Sequence, residues 1–281
     1  MKNPQGDFTG DKFSIICGES CFSQKGLSGE VCSNSLSRIK KETKIAKSIQ
    51  NKLLPKDDTH WNTITFNSLY LPVDDLGGDF YDLLKLSDDE FIIYIADVSG
   101  HGIHSAMLMV FMRERVRTNI DAAAEGTAEL LLKTVQDFCA LGFDNTMYVT
   151  MALCKYTKSR HELSFSNAGH NCFPFIMRNK GGIDTIYARG VPICNIAAGT
   201  KYETETVEIK PGDRLVLFTD GIVETENING RPFGQEGLKE FAGKYYRDDG
   251  SCLARKIMDE SDRYLCGAKD DRSIIIADIL C

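Results

Sequence analysis

The chain has 281 residues, 42% of them hydrophobic and 26% charged, and its 40 acidic against 33 basic side chains leave a net charge of −7. This composition is ordinary for a globular protein able to bury a core, and it excludes collagen-like, disordered and coiled-coil classes. No apolar run approaches the roughly 18 to 20 residues needed to span a bilayer. An acidic balance without a basic stripe also argues against nucleic acid as a partner, because neutralising phosphates needs clustered Lys and Arg.

The amino terminus, MKNPQGDFTGDKF, lacks the apolar stretch of a secretory signal, so a cytoplasmic location is expected and the ten cysteines are read as thiols. Cys17, Cys21 and Cys32 form the one local cluster. A zinc site there is a weaker reading than packing or exposed thiols, because no Cys-x-x-Cys pair is present. Residues 1–34, rich in Gly, Ser and Cys and without a sustained period, are read as a short irregular head. From Ser35 to Leu54 the character changes. Leu36, Ile39, Ala46, Ile49 and Leu53 recur at three- and four-residue offsets between lysines, and Pro55 closes the run. That pattern predicts an amphipathic linker helix over 35–55, laid on its own domain or pairing with a second copy.

Residues 56–281 read as one further domain. TITFNSLYL, FIIYIADV, YVTMALCKY, HELSFS, CFPFIM, KYETETVEI, RLVLFT and SIIIADIL are rich in β-branched, aromatic or aliphatic residues and are bounded by Gly, Pro, Asn or Asp, as strands are. Helical spacing covers His101 to Ile120, Gly126 to Leu141, Gln235 to Tyr246 and Ser251 to Leu265. Strands, a helical pair, strands and then helices predict an α+β layered domain with mainly antiparallel sheets.

Aspartate recurs where these strands end: Asp79 in LGGDFYD, Asp97 in IADVSGHG, Asp220 in LFTDGIVE, and Asp270 with Asp271 in AKDDRSII. Turn chemistry explains any one of them. Four strand ends that each run into a poor strand former are better explained by convergence on a carboxylate-lined site. Clustered carboxylates repel unless a cation neutralises them, and an all-oxygen set suits Mg²⁺ or Mn²⁺ rather than zinc. Two such ions, about 3.5–4 Å apart, would make metal-assisted hydrolysis of a phosphate ester the natural chemistry.

GGDFYD, ADVSGHG, NAGHN, PGDRLVLFTDGIVE, NGRPFGQEGL and KDDRS, in that order, closely resemble the PPM-type (protein phosphatase 2C-like) serine/threonine phosphatases. Within them the likeness is to the bacterial subfamily that regulates sigma factors by partner switching, and it covers roughly Leu53 to Leu280. The resemblance implies a four-layer αββα sandwich with a dinuclear Mn²⁺ or Mg²⁺ centre at one end. It gives Asp97 the role of bridging both ions, the Val98 carbonyl one coordination position, and Asp220 and Asp270 the other carboxylates. Asp79 would hold the second ion directly or through water. A bridging hydroxide would then attack the phosphorus of a phosphoserine or phosphothreonine, with an anti-sigma-factor antagonist as the implied substrate protein.

Around these ligands the readings are weaker. Asp271 is taken as an acceptor behind the ligands, and the glycines Gly77, Gly78, Gly100 and Gly102 as turn formers. Asn167, Gly169 and His170 either shape a substrate groove or hold a turn by side-chain hydrogen bonds. His101 is a proton donor to the leaving oxygen or, more often for such a residue, a loop orienter, and Ser99 lacks the adjacent base a nucleophile needs. Three positions depart from the family pattern: Cys194 replaces a glycine, Arg272 an apolar residue and Ser273 a threonine. The rival readings are a catalytically silent binding module of the same fold and a zinc-binding regulator built on the three early cysteines.

Overall fold

The computed structural model describes residues 27–55, 59–61, 63–264 and 270–280. Helix α1 (Leu27–Leu53) is followed by strands β1 (Thr59–Trp61), β2 (Ile64–Leu71), β3 (Phe80–Lys85) and β4 (Glu90–Val98). Helices α2 (Ile103–Thr118) and α3 (Thr127–Leu141) come next, then β5 (Val149–Thr157), β6 (Glu162–Ala168), β7 (Phe175–Met177), β8 (Ile183–Thr185), β9 (Glu205–Glu208) and β10 (Arg214–Phe218). A single turn, α4 (Asp220–Val223), precedes α5 (Gln235–Lys244), α6 (Gly250–Arg263) and β11 (Arg272–Ile279).

Lys44–Cys281 make up one unit, built on two antiparallel sheets. One has the order β1-β2-β11-β10-β7-β8 and the other β3-β4-β5-β6-β9. Its central strands β10 and β11 are buried on both faces, which is why RLVLF and the IIIA of β11 read as continuous apolar runs. Alternation along each strand divides the side chains. Leu215, Leu217, Ile275 and Ala277 join the core shared with the second sheet, whereas Val216, Phe218, Ile274 and Ile276 pack against Leu253 and Ile257 of α6. On the far side, Met109, Met112 and Val116 of α2 and Leu131, Val135 and Phe138 of α3 belong to the core of the second sheet. Two antiparallel sheets with six helices give the expected α+β sandwich.

The helix ends carry ordinary punctuation. Gly142 takes a left-handed conformation (φ 61°) at the close of α3, and the Asp249 carboxylate accepts the Cys252 amide at the start of α6. Two expectations need correction. α1 begins at Leu27, inside the segment expected to be irregular; its last residue is Leu53, two before Pro55, as expected of a helix closed by proline. β1, β3, β8 and α4 were not anticipated, and three of these four are only one turn or three residues long. Residues 1–26, including Cys17 and Cys21, lie outside the described residues, and Cys32 falls within α1.

Candidate active site

Two pairs of neighbouring strands bring the aspartates to one end of the sandwich. In the second sheet Phe80 pairs with Ala96, so Asp79, just before β3, stands beside Asp97 near the end of β4. In the first sheet Phe218 pairs with Ile274, which puts Asp220, two residues past β10, next to Asp270 and Asp271 at the approach to β11.

Hydroxyls join the two sheets across this end. Thr219 Oγ1 and Ser273 Oγ donate to Asp79 Oδ2 at 2.8 and 2.7 Å. Thr219 Oγ1 also accepts the Ser273 amide at 2.9 Å. Ser273 therefore retains the hydroxyl that threonine would supply. Asp271 spends both oxygens on backbone. Oδ1 accepts the Val73 amide at 2.8 Å, and Oδ2 accepts the Gly78 amide at 2.6 Å and the Asp79 amide at 3.4 Å. Both oxygens are thus committed to the backbone leading into Asp79. Space is tight here: a Cβ on Gly77 would lie 2.2 Å from Asp271 Oδ2, and one on Gly221 1.9 Å from the Asp271 carbonyl. A Cβ on Gly78 would come within 2.9 Å of the Val98 carbonyl, which faces the same loop.

The electrostatics are those of uncompensated like charges. Burial, then the neighbouring Asp220, Asp270 and Asp271, push the Asp97 carboxyl up to about 8. Burial, Asp97 and Asp271 hold Asp79 well above the usual carboxylate range despite its two hydroxyl donors. Asp270 is also raised, chiefly by burial. Among the described residues no three His, Cys, Asp or Glu side chains stand close enough together to grip an ion as placed. The donor set nonetheless fits hard divalent cations: its members are carboxylates and a carbonyl, and their mutual repulsion is what such a cation relieves.

The remaining candidates have partners within the protein. Asn167 Nδ2 donates to the carbonyls of His170 (3.0 Å) and Ala188 (3.1 Å), while its Oδ1 accepts the His170 amide (2.7 Å). His170 Nε2 donates to the Phe218 carbonyl at 3.0 Å, so the neutral ring accepts Thr150 Oγ1 at Nδ1, 2.9 Å away. Burial lowers its basicity. Gly169 has φ 69° with Pro192 packed against it. These contacts hold a turn between Asp97's strand partner Thr150 and the Asp220 segment, and neither Asn167 nor His170 turns a spare polar atom toward a groove. His101 is exposed and its Nδ1 pairs with Asp74 Oδ2 at 2.9 Å. Ser99 Oγ accepts the Tyr148 amide and donates to the Thr146 carbonyl.

The other departures from the family pattern are accommodated. Arg272 pairs with Asp262 and donates to Ser261 Oγ, both at 2.7 Å, tying β11 to α6. Cys194 sits in extended backbone (φ −156°), where glycine is not required. Sequence reasoning missed Thr219 as a partner of Asp79, and it missed Gln50, whose amide reaches Gly77 from α1.

The family described as Stage II sporulation protein E (SpoIIE) matches residues 87–280. Phosphoserine phosphatase RsbU of Bacillus subtilis is 27% identical over 206 residues, which cover 72% of this chain and 60% of RsbU. The chain thus spans about 60% of the length of that relative. The SiaA-PP2C domain of Pseudomonas aeruginosa superposes with a TM-score of 0.74 at 20% identity, over 88% of this chain and 99% of that one. The catalytic domain of the serine/threonine phosphatase PstP, solved with two manganese ions, gives 0.58 at 11% identity over 78% of this chain and 99% of its own.

Proposed function

The chain belongs to the SpoIIE family of PP2C-type phosphatases, and on that footing we propose that it is a metal-dependent protein serine/threonine phosphatase acting on phosphoserine or phosphothreonine. One observation carries the reading: Asp79, Asp97, Asp220 and Asp270, contributed by two different sheets, form one mutually repelling cluster at a shared end. We assign Asp79, Asp97, Asp220, Asp270 and the Val98 carbonyl to holding two divalent cations, Mn²⁺ or Mg²⁺. When bound, these supply Lewis-acid stabilisation of the phosphoryl group and lower the pKa of water.

The chain's own residues hold the carboxylates in place. Thr219 and Ser273 both hold Oδ2 of Asp79, and Asp271 holds the loop beneath it. Ser99, with its hydroxyl already bonded on both sides, is not a nucleophile. Asn167, Gly169 and His170 serve as a scaffold for the substrate-side wall through the turn they hold. The substrate protein we favour is an anti-sigma-factor antagonist, an assignment supported by the order of the sequence motifs and by the similarity to RsbU. No helix among the described residues is long and apolar enough to cross a membrane.

The test is hydrolysis of an aryl phosphate and a phosphoserine peptide with Mn²⁺, with Mg²⁺ and with chelator. Turnover is expected to require metal and to fall about 10²- to 10³-fold in Asp220→Asn, in line with losing one transition-state electrostatic contact. Metal-independent turnover, or an undiminished Asp220→Asn variant, would sink the proposal.

A further inference from the structure

Two cysteines that the proposed chemistry does not use meet in one place. Cys139 lies in the last turn of α3, and Cys194 opens the short turn Asn195–Ala197, which packs on that helix. The Cys139 thiol donates to the Cys194 carbonyl at 3.3 Å and to the Asn195 carbonyl at 3.7 Å. Burial and the neighbouring Cys194 sulfur push the Cys139 thiol up. Burial likewise raises the Tyr202 hydroxyl, and both sulfurs add to that rise, so the two thiols and the hydroxyl are neighbours. Cys139 and Cys194 are only partly buried, whereas Cys154 and Cys172 are enclosed in the cores on either side of the first sheet. An enclosed thiol is shut off from a dissolved oxidant, and a partly exposed one is open to it.

The segment that Cys194 belongs to is tied down at few points. Ile193, just before it, exchanges two backbone hydrogen bonds with Val149, at 2.8 and 2.9 Å, and Val149 is the strand partner of Val98. The Tyr202 hydroxyl donates to the Val191 carbonyl at 3.1 Å, and the Asn195 amide donates to the Phe143 carbonyl. Residues 190–202 otherwise hold only the one turn, and Ile196 within it is 91% exposed. Glycine, which the family pattern has at position 194, would offer no sulfur here.

We infer that Cys139 and Cys194 form a modification site, a dithiol that a peroxide closes to a disulfide, clamping residues 190–202 onto α3. The Cys194 sulfur attacks one peroxide oxygen and breaks the O–O bond, leaving a sulfenic acid and one water. The Cys139 sulfur, losing its proton, then attacks the Cys194 sulfur and expels the hydroxyl as a second water, so two thiols are oxidised by two electrons and one peroxide is reduced. Closing the bond moves the Cys139 sulfur from one atom of residue 194 to another. The dithiol is separate from the proposed phosphatase chemistry, since its partners are carbonyls rather than the clustered aspartates.

The experiment treats the full chain with hydrogen peroxide in slight excess, blocks the remaining thiols and maps the peptides. The expected product is lighter by two hydrogens, carries a Cys139–Cys194 link and reverts with dithiothreitol. Because the link joins residues far apart in the sequence, the oxidised chain should melt about 4 °C or more above the reduced one. Trypsin cleavage after Arg189 and Lys201, both exposed, should slow on oxidation. Cys139→Ala and Cys194→Gly, given the same peroxide, should show neither the link nor the rise. Oxidation that leaves Cys139 and Cys194 unlinked in the wild type overturns the inference, as does a melting rise that persists in both variants. A link that forms without raising the melting temperature or slowing cleavage overturns the clamp.

Discussion

Asp97 faces opposing demands: burial and three acidic neighbours favour its protonated form, whereas its proposed part in holding a cation requires the carboxylate. Its carboxyl titrates at about 8 in the folded protein against about 3.9 in an open chain. A carboxyl with a raised folded value contributes stability that is fully present below about pH 4 and lost as pH rises through 8. Metal-free protein should therefore melt at progressively lower temperature between pH 5 and 8.5. Asp97→Asn should flatten that slope and melt higher than wild type at pH 8, by about 2–4 °C for each kcal/mol of repulsion removed. Calorimetry in chelator checks both, and a wild-type melting temperature that climbs over this range would contradict the assignment. The four aspartates could be picked out from the sequence because Asp at the end of an apolar strand is chemically out of place. Thr219, Ser273 and Gln50 were hidden for the opposite reason: hydroxyls and amides are unremarkable in turns and helices. Their partners lie 140, 194 and 27 residues away, distances no local pattern records.

The element pairing most exposed to failure is β3 with α2. Asp82, its side chain 2% exposed, receives Arg117 through Nε at 2.7 Å and Nη2 at 3.0 Å, and lies 3.3 Å from Nη2 of the buried Arg113. Burial raises the Asp82 carboxyl, and the two guanidiniums oppose that rise. Such a buried set adds little net stability while intact and costs much when one member is lost. Asp82→Asn is expected to destabilise the fold by about 3 kcal/mol, read as a shifted midpoint in denaturant unfolding, because Arg113 is left buried without its carboxylate. A change within about 0.5 kcal/mol would show that Glu114, 2.6 Å from Arg113 Nη1, is partner enough. β3 escaped the sequence reading because of this same residue: FYDLLK has a charge at its centre, where β4 and β5 carry apolar side chains. The long strands β4, β5 and β11 were legible from their apolar runs, and β2 from its β-branched, aromatic and aliphatic content. β1 and β8, at three residues each, are too short for any period to register.

For the whole molecule, the open question is association. Ile45 and Ile49 on α1, with Ile103 and Met107 on α2, are each more than half exposed. Four large apolar side chains left to water on two adjoining helices favour a homodimer formed through the helix that the sequence pattern marked out over 35–54. Sedimentation across a hundredfold concentration range is expected to show a monomer–dimer equilibrium, shifted at least tenfold toward monomer by Ile49→Glu. A monomer at every concentration would refute it.

β11 has a further consequence. It lies between β2 and β10, pairing with both along most of its length, and Asp270 and Asp271 directly precede it. Every other described element is synthesised before it. Until that segment emerges, the first sheet is split in two, Asp79 lacks the Ser273 hydroxyl, and the Gly78 amide has no carboxylate to meet. A nascent chain can thus build its helices and the whole of its second sheet while remaining chemically inert. If the proposed activity holds, it should arrive in one step once β11 has docked between β2 and β10, so that a product cut before β11 is silent rather than misdirected.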